Sequence, residues 1–267
     1  MNTRKVEQAP PEYVPGHGLL TDRTVVVTAA AGAGIGSAVV RRCLEEGARA
    51  VVLGDVHEAR LAGAVKELAD QFGDGRVASA VCDVTREEQV NALLDAAEPF
   101  GGVDVMVNNA GLGGTRSLLE MTDEEWSRVL DITLTGTFRC VRAAGGRMAR
   151  AGRKGVIVNN ASVVGWRAQE GQAHYAAAKA GVMALTRSAA ADLAAFGIRV
   201  NAVSPSLAMH PFLAKVTTDE FLDELKGREA FGRAAEPWEV ANVMVFLASG
   251  YSSYMTGEVV SVSSQHA

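Results

Sequence analysis

The sequence predicts an α/β fold: a single-domain, doubly wound parallel sheet of seven strands with helices on both faces. Three observations carry that expectation. Beyond residue 18, short β-branched apolar runs alternate with longer segments whose apolar residues recur at helical spacing. The first such run leads through a glycine-rich turn directly into a helical pattern. No long structureless insert interrupts the alternation, in keeping with the short connections of this architecture.

Taken in order, residues 1–18 are polar and hold Pro10, Pro11 and Pro15, which reads as a flexible tail. The domain proper is expected over 19–267. Thr24-Val-Val-Val-Thr28 reads as a buried strand and Ala29 to Gly36 as a tight turn; Ala38, Val39, Cys43 and Leu44 then mark a helix up to Glu46-Gly47. A second strand, Ala50–Gly54, ends in Asp55. The pattern continues with strand 77–82 ending at Asp83, helix 87–97, and strand 103–107 running into Asn108-Asn-Ala-Gly111. Helix 123–148, strand 155–161, helix 173–196, strand 199–203, helix 237–249 and strand 258–262 complete the series. Segment 207–232, between the sixth strand and the last helix, is a candidate substrate lid, and its Leu207, Met209, Phe212 and Leu213 fit either a greasy substrate or packing on the domain itself.

Composition excludes several classes of function. The 267 residues are 48% hydrophobic with a formal net charge of −5, which argues against nucleic acid as a partner. No apolar run is long enough to span a bilayer, and the first residues lack the apolar core of a signal peptide, so a cytoplasmic protein is expected. Cys43, Cys82 and Cys140 are odd in number and show no C-x-x-C, reading as reduced, buried thiols. The five histidines have no ligand spacing, so no metal site is expected.

The motifs point to a dinucleotide and a proton transfer. In the turn, Gly32, Gly34 and Gly36 around Ile35 let a backbone approach a pyrophosphate at a helix N-terminus. Asp55, 19 residues beyond Gly36, can accept both ribose hydroxyls of an adenosine and repel a 2′-phosphate; NAD is therefore expected over NADP, although Arg60 is near. Tyr175 and Lys179, four apart in an alanine-rich helix, place an ammonium by a phenol. A phenol with a pKa of about 10 needs roughly 4 kcal/mol to come down three units, a shift an adjacent shielded cation can supply. Ser162 precedes this helix and can hold the same substrate oxygen. The glycine turn, Asp55, Asp83, Asn108–Gly111, Ser162 and Ser204-Pro205 all follow strands, the edge where this architecture binds ligands, and that convergence supports the Tyr175/Lys179 pair.

Together with Cys82-Asp-Val84, Gly197-Ile-Arg-Val-Asn-Ala-Val-Ser-Pro205, Phe246-Leu-Ala-Ser249 and Thr256-Gly257, these motifs resemble the short-chain dehydrogenase/reductase family, from about Leu19 to Val262. The resemblance implies a Rossmann-type fold, a nicotinamide cofactor, and Tyr175 as general acid/base. Lys179 would lower the tyrosine pKa and bind the nicotinamide ribose, and Ser162 would position the substrate oxygen. It also implies cofactor contacts from Asp83 and Val84 at the adenine, from Asn109, Ala110 and Gly111 at the centre, and from Pro205. Family members are usually homodimers or homotetramers.

The chain also departs from that pattern. Thr28-Ala29 stands for the usual Thr-Gly, Thr133 for an asparagine of a proton relay, Pro205-Ser206 for Pro-Gly, and His210 for a threonine near the carboxamide. The combination of Thr28-Ala-Ala-Ala-Gly-x-Gly-Ile-Gly36, Ala161-Ser-Val-x-Gly-Trp-Arg-Ala-Gln169, Ser204-Pro-Ser206 and Val262-Ser-Ser-Gln-His266 is similar to actinobacterial members of steroid-nucleus catabolism, which act on bicyclic C/D-ring remnants carried as coenzyme A thioesters. On the substrate side Trp166 fits either packing on a ring system or simple burial, and Arg167 either an anion contact or an exposed surface; His210 is the third candidate. Two alternatives remain: a 3-oxoacyl-thioester reductase using NADPH, which Asp55 opposes, and a non-catalytic dinucleotide-binding sensor, suggested by Thr133, Ser206 and His210.

Overall fold

The computed structural model describes residues 9–209 and 219–265, the side chains of 219–221 excepted. Seven strands form one parallel sheet: β1 (Thr24–Thr28), β2 (Ala50–Asp55), β3 (Val77–Val81), β4 (Val105–Asn108), β5 (Val156–Asn160), β6 (Arg199–Pro205) and β7 (Val259–Val262). Their order is β3-β2-β1-β4-β5-β6-β7, so the winding reverses between β1 and β4. The crevice above that reversal is where such sheets bind ligands.

The central strands are apolar along their whole length because both faces are covered. Alternation along β1 shows how each face is used. Val25 and Val27 pack with Val39, Cys43, Leu61, Val240 and Met244, from helices α1 (Ile35–Glu45), α2 (Glu58–Phe72) and α8 (Pro237–Ala248). Val26 points the other way, into a cluster with Leu93, Cys140, Met148 and Ala190 from α3 (Glu87–Asp95), α5 (Gly136–Arg150) and α6 (Ala173–Leu193). All three cysteines are free and buried.

Most elements match the sequence expectations within two residues, and the differences have local causes. The continuous helix expected over 123–148 is α4 (Asp123–Leu130), a π-helical turn Asp131–Thr135, and α5. Helix α2 lies where no element was assigned, although Leu61, Ala64, Val65, Leu68 and Phe72 carry the helical period. Helix α6 gives way at Ala194 to a tighter turn closed by left-handed Gly197. Helix α7 (Asp219–Arg228) occupies part of the segment expected as a lid.

Residues 9–18, expected as flexible, have no regular structure but are tied to α1 and α8. The His17 and Leu19 amides donate to buried Glu46 at 2.7 and 3.0 Å, and Arg42 pairs with the same carboxylate at 2.7 Å. The Tyr13 ring meets Trp238 edge to face at 5.3 Å. No helix among the described residues is long and apolar enough to cross a membrane.

Candidate active site

The turn between β1 and α1 is shaped by what its residues cannot avoid. A Cβ on Gly36 would lie 2.1 Å from the Ala29 carbonyl oxygen, so only glycine fits there. At Gly32 an added Cβ would meet nothing within 4 Å: that face is open. Gly34 is the extended N-cap of α1 and supplies no side-chain cap, unlike Thr122 at α4, which closes a capping box. The first-turn amides of α1 are therefore free of any side-chain acceptor, the arrangement that receives an anion. Ala29, standing where the family pattern has glycine, adopts φ 51°, a left-handed conformation that costs alanine about 1 kcal/mol.

Asp55 closes β2 almost fully buried, accepting from the Ala31 amide at 3.1 Å and the His57 amide at 3.0 Å. Arg60 approaches it at 3.7 Å with a largely exposed side chain. Asp83 accepts from the amide and hydroxyl of Thr85 at 2.9 and 2.7 Å, and the next residue, Val84, is buried against Gly136. Asn109 joins the end of β4 to the turn after β1. Its amide nitrogen donates to the carbonyls of Thr28 and Ala29, both at 3.2 Å, while the Thr28 hydroxyl accepts from the Asn109 and Ala110 backbone amides. The side chain thus builds the turn.

The chemical end of the site sits at the start of α6. His174 is buried and accepts the Tyr175 amide on Nδ1 at 2.9 Å, satisfying one of the helix's unpaired first-turn donors. Tyr175 is half-buried, and Lys179 is 3% exposed, one turn on. The Lys179 ammonium lies 5.5 Å from the Tyr175 ring centroid and donates to the Asn160 carbonyl. Burial brings this lysine down to about 8. It pushes the tyrosine up to about 12, against the pull of a Ser162 hydrogen bond. The Lys179 ammonium faces the ring and a carbonyl. Ser162 leaves β5 in an extended conformation and begins a short turn, its Oγ also accepting from the Val164 amide at 3.4 Å.

Thr133 lies fully buried within the π-helical turn, a feature that recurs at functional sites. Its hydroxyl accepts from the Leu112 amide at 3.0 Å and donates to the Leu112 carbonyl at 3.2 Å, so its one proton is committed to pinning the loop after β4. A Cβ on Gly111 would sit 3.5 Å from the Lys179 ammonium and 3.7 Å from the Thr133 hydroxyl, which locates the three together.

On the substrate side Trp166 is 49% exposed. Arg167, offered from sequence as an anion contact, donates to the Gln265 side chain at 2.6 Å. Pro205 ends β6, buried beside β7. His210, Phe212 and Leu213 lie outside the described residues.

Sequence reasoning missed an amide ladder beneath the site. Asn160 donates to the Asn109 Oδ1 at 3.0 Å, joining the catalytic end to the glycine turn. One residue deeper, Asn108 donates to Asn159 at 2.8 Å and Asn159 to Thr186 at 2.9 Å. The signal was legible: two adjacent asparagines end an otherwise apolar buried strand opposite another such pair. Buried oxygens of Asn108, Asn160 and Ser204, at or next to the carboxyl ends of β4, β5 and β6, have no partner among the described residues. With the open Gly32 face and the uncapped α1 terminus, they fit an extended polar ligand such as a dinucleotide.

Residues 29–264 match the family model described as enoyl-(acyl carrier protein) reductase. The chain is 60% identical over 257 residues to the (5R,7aS)-5-hydroxy-7a-methyl-1-oxo-2,3,5,6,7,7a-hexahydro-1H-indene-carboxyl-CoA reductase of Mycobacterium tuberculosis, covering 96% of this chain and 97% of the relative. It is 43% identical over 245 residues to the cis-4-hydroxycyclohexanecarboxylate dehydrogenase of Sinomonas cyclohexanicum, covering 90% and 95%. A solved structure of a short chain dehydrogenase from Mycobacterium smegmatis superposes with a TM-score of 0.86 at 56% identity, covering 97% of this chain and 99% of that one.

Proposed function

The chain belongs to the short-chain dehydrogenase/reductase family of NAD(P)-binding oxidoreductases, and from that premise we propose that it interconverts a secondary ring alcohol and a ketone on a bicyclic coenzyme A thioester of steroid degradation, using NAD(H). The substrate class rests on the 60% identical relative, whose printed name is that of a reductase of such an indane thioester. The single structural observation that carries the chemistry is the convergence of Ser162, Tyr175 and Lys179 at the carboxyl edge of β5.

When bound, the nicotinamide gives or takes the hydride. Tyr175 moves the proton, to the carbonyl oxygen in reduction and from the hydroxyl in oxidation. A phenol pushed up to about 12 holds its proton at neutral pH, which suits it to donating to a ketone. Ser162 hydrogen-bonds the same oxygen and fixes its distance to Tyr175. Lys179, held by the Asn160 carbonyl, places positive charge beside the ring and would hold the nicotinamide ribose. The open face of Gly32, with Gly34, Ile35 and the α1 amides, would hold the pyrophosphate, and Asp83, Val84, Ala110, Gly111 and Pro205 would line the remainder. Thr133 shapes the site through Leu112.

NAD is favoured over NADP because the Asp55 carboxylate, buried at the end of β2, would face the adenosine ribose and meet a 2′-phosphate with like charge. The same carboxylate opposes the NADPH-dependent 3-oxoacyl-thioester reductase. Half-exposed Trp126 on α4 and Phe138 on α5 support a homodimer or homotetramer.

The experiment is steady-state kinetics with NAD(H) and NADP(H) on the bicyclic hydroxy- and keto-thioesters, beside a linear 3-oxoacyl thioester. NAD-linked turnover of the bicyclic pair is expected. Preference for the linear substrate with NADPH would overturn both the substrate and the cofactor assignment, and binding of NADH without turnover of any alcohol or ketone would favour a sensor.

A further inference from the structure

Three stretches far apart in sequence meet beside the loop that carries Ser162. Arg167 continues the turn that Ser162 opens, its amide donating to the Val163 carbonyl at 3.0 Å. Gln265 lies near the end of the chain and Glu229 immediately after α7, and their backbones pair in an isolated antiparallel bridge. Glu229 is 1% exposed. One of its oxygens accepts from the Gln265 amide nitrogen at 3.0 Å and the Leu207 amide at 3.4 Å. The other accepts from the Ser264 amide and hydroxyl at 3.2 and 2.8 Å.

This arrangement dictates which way the Gln265 amide faces. A carboxylate only accepts, so Gln265 must turn its NH2 to Glu229, and its oxygen is then left toward Arg167, where it accepts at 2.6 Å. Arg167 makes no ion pair among the described residues, and its guanidinium is held by the neutral Gln265 oxygen. A carboxylate at position 265 would orient the guanidinium as well but cancel its charge. A neutral amide orients it and leaves the charge for a ligand, with four N–H donors still to use.

We propose that Gln265, oriented by Glu229, is a positioning residue that holds the uncancelled charge of Arg167 ready for a phosphate of the coenzyme A carrier. The carrier is taken from the reading under Proposed function; the orientation of Arg167 is not. Selection would then act on the carrier rather than on the ring: the enzyme prefers the coenzyme A thioester over an uncharged thioester of the same acid, and Gln265 sustains that preference.

The test compares the coenzyme A thioester of the bicyclic keto acid with its N-acetylcysteamine thioester, which carries no phosphate, in wild type and in Gln265→Ala, Gln265→Glu and Arg167→Ala. Gln265→Ala is expected to raise KM for the coenzyme A thioester about tenfold, with kcat and the KM of the neutral thioester within threefold of wild type. Gln265→Glu should raise it as far as Arg167→Ala, because the new carboxylate cancels the charge. The double variant Glu229→Gln/Gln265→Glu, which reverses the amide and carboxylate, should remain as impaired as Gln265→Glu, since orientation returns but the charge does not. Equal losses on both thioesters, or a Gln265→Glu enzyme with wild-type KM, would reduce the network to a merely structural one and overturn the inference. If wild type turns over neither thioester, the substrate reading fails separately. Calorimetric titration of free coenzyme A into the enzyme–NADH complex then decides the inference: weaker binding in Gln265→Ala supports it, and equal or absent binding overturns it.

Discussion

Replacing Asn160 by valine separates the amide ladder's part in shaping the cofactor turn from any part in chemistry. Valine suits a buried strand end and keeps the carbonyl that receives the Lys179 ammonium. Two effects on global stability oppose each other. The Asn109 oxygen loses its donor at 3.0 Å, a cost of about 1–3 kcal/mol for a buried acceptor left unpaired. The unpartnered Asn160 oxygen disappears, returning a similar amount. Net stability should therefore change by under ~1 kcal/mol, and Tm by about 2–4 °C at most for a chain of this size. The affinity for the dinucleotide should not escape so lightly. Freed on one side, Asn109 no longer aims both its donor bonds at Thr28 and Ala29, each worth about 1 kcal/mol. A loss of about 1–2 kcal/mol corresponds to a Kd for NADH raised roughly 5- to 30-fold, with kcat at saturating cofactor nearly unchanged. NADH fluorescence titration, a thermal melt and kcat measured together check this. An unchanged Kd would refute the ladder's role in the turn, and a collapse of kcat at saturating NADH would show that the ladder serves Lys179 instead.

Other substitutions probe the remaining parts. Lys179→Met should abolish turnover yet raise stability at pH 7 by on the order of 2–3 kcal/mol, because it removes a buried charge that burial brings from 10.5 to about 8. The sign follows from the unfolded chain holding its proton longer than the folded one: the cost is full below about pH 8 and vanishes above 10.5, so the gap in chemical-denaturation stability should close across that window. A gap that is constant with pH would count against a buried ammonium. Ketone reduction needs the Tyr175 proton, held up to about 12, so its kcat/KM should stay flat between pH 6 and 8 while that of alcohol oxidation climbs; parallel profiles would contradict Tyr175 as the acid and base. Gly36→Ala forces a methyl to within 2.1 Å of the Ala29 oxygen, and should cost about 1–3 kcal/mol of stability and at least tenfold in NADH affinity by calorimetry. Asp55→Ala should move the NADP⁺/NAD⁺ ratio of kcat/KM toward NADP⁺ by tenfold or more, and no movement would remove Asp55 from the ribose.

Much of this molecule is written in local sequence. Unbroken Val-rich runs such as Thr24–Thr28 mark strands buried on both faces, and the glycine turn is legible because steric exclusion at Gly36 admits no side chain. The four-residue spacing of Tyr175 and Lys179 places them on one helix face whatever surrounds them. Helix α2 and the Asn159-Asn160 pair are equally readable there, the first by its helical period and the second as polar residues ending an apolar strand. Only tertiary structure decided the rest, because it concerns partners that sequence spacing does not specify. Asn109 shapes the turn by reaching Thr28 and Ala29 some 80 residues away, and Arg167 finds its acceptor at Gln265, 98 residues on. The π-helical turn turns Thr133 to Leu112 and commits its proton there, where periodicity alone draws a straight helix. The burial of Tyr175 is likewise a property of the assembled site: desolvation pushes the phenol up, against the pull of the Ser162 hydrogen bond.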